Sequence, residues 1–112
     1  MTIISLASEK GGVGKSVCAV HLGAALAKRN KKILLLDMDP SGSLTHHLSQ
    51  ECEKIAGNIV EVLSGRVPIK SVITKCDELH FIASTAALSE YVYENFKEKM
   101  KESLSSLGKS YD

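Results

Sequence analysis

Residues 9–16 read Glu9-Lys10-Gly11-Gly12-Val13-Gly14-Lys15-Ser16, a run that needs a buried strand before it and a helix N-terminus after it. Both flanks are written in the sequence. Residues 2–7 are β-branched and apolar, which predicts a short strand. The segment from Val17 to Ala27 is small and aliphatic, as in a helix packed closely on a sheet. The glycines let successive N–H groups converge on one anion, and the helix end adds its partial positive charge. In such a loop Gly11, Gly12, Val13 and Gly14 cradle phosphate. Lys15 reaches the β/γ-phosphates, and the Ser16 hydroxyl coordinates Mg²⁺.

The remainder alternates strand and helix. Ile33-Leu34-Leu35-Leu36 is a continuous apolar run, which predicts a parallel strand covered on both faces. Asp37-Met38-Asp39-Pro40-Ser41-Gly42-Ser43 breaks it with turn chemistry. Short helices are predicted over 43–48 and 59–63, further helical turns within 68–75, and a third strand over 79–83. Tyr93, Phe96, Met100, Leu104 and Leu107 recur at helical spacing within 90–107, one apolar stripe on a surface helix. Glu94/Lys97 and Glu98/Lys101 pair along its wet side. The basic group Lys28-Arg29-Asn30-Lys31-Lys32 reads as compensation of the preceding helix dipole. The pattern is α/β with a parallel sheet.

Composition narrows the function classes. Of 112 residues, 44% are hydrophobic and 24% charged, with a net charge of +1, which excludes a disordered polyelectrolyte. No run approaches the roughly 18–20 apolar residues of a membrane helix, and the N-terminus lacks the form of a signal peptide. Near-zero net charge leaves no electrostatic footprint for nucleic acid here. Cys18, Cys52 and Cys76 lie far apart, so three free thiols in a reducing compartment are expected, with neither disulfide nor zinc site. The four histidines, His21, His46, His47 and His80, read as structural or surface residues.

The loop departs from the general phosphate-loop pattern at Glu9, where glycine is usual, and it adds Lys10 before the glycine pair. Lys10 cannot easily approach the phosphates from the side Lys15 takes. It is expected to project toward a phosphate held by another subunit, acting in trans as an arginine finger does. K-G-G-V-G-K-S resembles the deviant Walker A motif of the ParA/MinD family of ATPases. The resemblance implies ATP and Mg²⁺ as cofactors, an ATP-dependent sandwich dimer, and contact of Lys10 with nucleotide across it. Val17 stands where many members have a hydroxyl, so only its backbone contact to the α-phosphate carries over.

The second acidic motif agrees. D-M-D-P-S-G-S-L-T resembles the ParA/Soj form of the family's switch I motif, with Ser41 in place of the usual glutamine. Asp39 matches the residue that positions or activates the attacking water, and Asp37 lies nearer the Mg²⁺ shell. The resemblance therefore implies catalytic roles for Lys10, Lys15 and Asp39, and metal-binding roles for Ser16 and Asp37. It is weaker, but continues, over residues 58–65 and 79–84.

The implied fold is a parallel-sheet P-loop NTPase with flanking helices, of which residues 1–112 form the N-terminal part, phosphate loop and switch I included. The implied function is DNA partition by a cytoplasmic, nucleoid-associated ATPase. Its partners are a second copy, a ParB-like centromere-binding protein and non-specific DNA held by the C-terminal region, with no membrane. The Walker B aspartate is expected after Tyr111-Asp112, so residues 1–112 alone should hydrolyse little ATP and should aggregate or swap. The alternatives are a non-catalytic nucleotide-binding fragment and a MinD-like division-site ATPase.

Overall fold

The computed structural model describes residues 1–7, 14–52, 54–90 and 96–112. Helices α1 (Lys15–Ala27), α2 (Ser43–Ser49), α3 (Ile59–Leu63) and α4 (Phe96–Ser105) surround strands β1 (Ile33–Leu36), β2 (Ile73–Cys76) and β3 (Leu79–Ile82). Short 3₁₀ turns cover Ile69–Val72 and Ala86–Glu90. The fold is mixed α/β, as the alternation predicts.

β3 is the central strand, in the order β1-β3-β2. β1 runs parallel to it, with Ile33 opposite Leu79 and Leu36 opposite Ile82. β2 runs antiparallel, Ile73 opposite Ile82 and Cys76 opposite Leu79. The sheet is therefore mixed, not wholly parallel. Residues 73–76, expected as part of a helical segment, are a strand because Asp77 and Glu78 close a two-residue hairpin. Asp77 takes the left-handed conformation, φ 52°, which Asp tolerates better than most residues.

Alternation along β3 divides the core. Phe81 and Ala83 face Leu44 and Leu48 of α2, whereas Ile82 faces Ile59, Val62, Leu63 and Met100. Side chains of successive strand residues point to opposite faces, so one strand of four residues anchors helices on both sides. α1 lies on the α2 face, where Gly23 permits close approach. A Cβ at Gly23 would lie 3.2 Å from the Leu35 side chain. α3 begins at a capping box: the Asn58 side chain accepts from Val60 and Glu61 N–H, and Glu61 accepts from Asn58 N–H.

Two further expectations change. Residues 2–7 form no strand; Ile3 and Ile4 are 65% and 62% exposed. A strand needs a ladder partner as well as an apolar sequence, and among the described residues none lies beside them. Thr2 N–H donates to the Asp112 carbonyl (2.6 Å), and Asp112 N–H donates to that of Lys32 (2.8 Å). Secondly, Cys52 and Cys76 form a disulfide, with Cα atoms 5.8 Å apart, while Cys18 is free and exposed. Folding α2 onto the β2–β3 hairpin joins thiols 24 residues apart, a proximity that spacing alone does not reveal. The basic group starts at Lys28, the C-cap of α1, and runs as an exposed turn to β1, with no basic residue inside the last turn of the helix. Of the predicted surface helix, Phe96–Ser105 is helical, whereas Tyr93 and Glu94 lie outside the described residues.

Candidate nucleotide site

The site lies where α1 begins and β1 ends. Gly14 precedes α1 with φ 79°, a left-handed conformation that favours glycine. Lys15 and Ser16 form the first turn, both half-buried, and Val17 is exposed. Lys10, Gly11, Gly12 and Val13 lie outside the described residues.

The structure brings together Lys15 and Asp39, 24 positions apart. Lys15 Nζ donates to Asp39 Oδ2 at 2.9 Å. That bond, with those from Ser41, holds the Asp39 carboxyl at about 2, below the usual carboxylate range. Asp39 is therefore fully ionised at neutral pH.

Asp37 is buried, 3% exposed, and its carboxylate is engaged locally. Oδ1 accepts from Asp39 N–H at 3.0 Å. Oδ2 accepts from Thr45 N–H at 2.9 Å and from the Thr45 hydroxyl at 2.6 Å. Three of about four acceptor positions on a carboxylate are thus in use.

Thr45 and Ser84 extend this network. The Thr45 hydroxyl oxygen accepts from Ser84 N–H at 2.8 Å, and the Ser84 hydroxyl donates to the Asp39 carbonyl at 2.7 Å. The acidic loop is thereby tied to the C-terminal end of β3. Sequence reasoning passed over both residues. Thr45 stands within the acidic motif and Ser84 within the late strand motif, but their pairing requires the fold. Among the described residues no group of three His, Cys, Asp or Glu side chains is arranged to hold a metal ion. His21, His46 and His47 are exposed. His80 bonds Tyr111.

Comparison with known proteins follows the same lines. A family model described as "AAA domain" matches residues 1–112. The chromosome-partitioning ATPase Soj of Thermus thermophilus is 36% identical over 85 residues, covering 76% of this chain and 32% of Soj. A plasmid partition protein of Borrelia burgdorferi, solved bound to AMPPNP, superposes with a TM-score of 0.80 at 38% identity, over 95% of this chain and 48% of that one. Cobyrinic acid a,c-diamide synthase of Mycobacterium smegmatis, solved with bound ADP and magnesium, gives a TM-score of 0.81 at 28% identity, over 95% and 46%. This chain thus spans a third to a half of the length of these relatives.

Proposed function

This chain belongs to the AAA-domain family, among the ParA/Soj-type partition ATPases, and from that premise we propose that it forms the phosphate-loop and switch I portion of a Mg²⁺-dependent ATPase for DNA partition. One observation carries the reading: the lysine of the glycine loop and an ionised carboxylate of the acidic motif meet at 2.9 Å. Nucleotide phosphate competes with Asp39 for the Lys15 ammonium. When phosphate takes Lys15, the Asp39 carboxylate is released to orient the attacking water.

Gly11, Gly12, Val13 and Gly14 supply backbone N–H groups to the phosphates, with the backbone of Val17 at the α-phosphate. The donor set suits magnesium: Ser16 offers a hydroxyl in the first turn of α1, and Asp37 retains one acceptor position beside the shell. Bound Mg²⁺ would neutralise phosphate charge. Asp37 itself fixes the loop that carries Asp39.

Lys10 completes the site of a second copy in an ATP-dependent dimer. A ParB-like protein stimulates hydrolysis, and non-specific DNA binds through the C-terminal region, which places the protein on the nucleoid. Among the described residues no helix is long and apolar enough to cross a membrane. Hydrolysis draws on groups beyond these 112 residues, so the chain alone binds nucleotide with little turnover.

The test is phosphate release and light scattering on the complete protein that carries this chain, with and without ATP. Lys10→Ala and Asp39→Ala are each expected to abolish turnover, and Lys10→Ala to leave ATP binding intact. Unchanged turnover in Lys10→Ala overturns the role in trans; unchanged turnover in Asp39→Ala overturns the role in positioning water.

A further inference from the structure

On the sheet face away from α1 and α2, from Ile33 at the start of β1 across to Ile73 of β2, lies an open cavity of about 630 Å³. Neither Lys15 nor Asp39 lines it. Lys31 and Lys32 come to it from the α1–β1 turn, Lys70 from the 3₁₀ turn and Lys75 from β2. Glu78 is the acid in its lining. Among the described residues the ion pair within 4.0 Å is that of Lys15 with Asp39, so none of these four ammonium groups is in a direct ion pair, and the Asp112 carboxylate nearby accepts from the Lys32 backbone N–H at 2.7 Å. Four like charges around one concavity repel one another, a cost that a bound anion would remove.

The floor is half apolar, formed by Ile33, Ile73 and Leu107. His80 and Tyr111 stand in the wall, Nδ1 to OH 2.8 Å, with their rings edge to face at 5.7 Å. Burial and the nearby Lys75 charge both lower the His80 pKa, in keeping with a positive local field. A chain of net charge +1 has thus gathered unpaired lysines from three segments around one cavity.

We propose that this cavity binds a small ligand carrying two or more phosphate groups. Its volume falls within the roughly 300–1,000 Å³ of small-molecule sites. The charge is gathered in a concavity, whereas a duplex would require a basic stripe. The site is independent of the nucleotide loop and of the function proposed above.

Inorganic tripolyphosphate is the probe, titrated by calorimetry into the Lys15→Ala chain so that the glycine loop does not contribute. Saturable one-to-one binding is expected, with an upward shift of the His80 pKa followed by NMR. Lys70→Ala/Lys75→Ala should weaken binding about tenfold or more. Lys31→Ala/Lys32→Ala, on another wall, provides the same reading if the first variant does not fold. Absence of binding, or binding indifferent to both lysine pairs, overturns the proposal. Displacement of tripolyphosphate by duplex DNA at a lower phosphate concentration also overturns it, in favour of a nucleic-acid surface.

Discussion

Lys15 and Asp39 hold each other at 2.9 Å where α1 begins and β1 ends, so their pairing sets the charge state there. The Asp39 carboxyl stands at about 2, down from an ordinary 3.8. A carboxylate with a depressed folded pKa stabilises the fold above the unfolded value, and that contribution is lost as pH falls through the folded value. Here the window runs from pH 3.8 down to about 2. In Asp39→Asn, urea midpoints measured against pH should lose that part of the acid slope. With both side chains about one-quarter to one-third exposed, the effect should stay under about 1 kcal/mol. Asp37 is different because it is buried. Thr45→Val removes the hydroxyl that serves Asp37 and Ser84, and is expected to cost about 1–3 kcal/mol, with Thr45→Ser restoring most of it. An equal loss in both variants would assign the effect to packing. The nearness of Lys15 and Asp39 was legible, since two short motifs name both residues. Thr45 and Ser84 were not, because a threonine and a serine 39 positions apart acquire a role only once α2 docks on β3.

Among the elements, α3 was legible to the residue because its capping box is local. β2 was not, because its strand character comes from pairing with β3 and not from its own four residues. The disulfide belongs to the same class of non-local fact. It links the segment after α2 to β2 and closes a loop of 24 residues, worth roughly 3 kcal/mol in chain entropy. Cys52→Ser/Cys76→Ser should lower the thermal midpoint, and reductant should lower that of the native chain equally while leaving the variant unmoved. A titration that finds three free thiols in the oxidised chain would contradict the bond. Phe81 is fully buried against Leu44 and Leu48, so Phe81→Ala should cost about 3–5 kcal/mol, read from the same melts.

For the molecule as a whole, β1 has β3 on one edge and, among the described residues, no strand on the other. A strand edge without a partner is a template for pairing with another chain, and the exposed Ile3 and Ile4 add apolar surface. Light scattering should therefore show concentration-dependent association of residues 1–112, reduced by Ile3→Ser/Ile4→Ser. A monomer at all concentrations would contradict that expectation. The fold class was legible because alternating apolar runs dictate it, but strand order and the antiparallel partner depend on closure of one hairpin. The proposed function puts Lys15 at the phosphates of a bound nucleotide, and a titration of Mg-ATP into the native chain and into Lys15→Ala tests that proposal most directly. Saturable binding, weakened about tenfold to a hundredfold by the substitution, is predicted; equal binding by the two chains, or none by the native one, would contradict it.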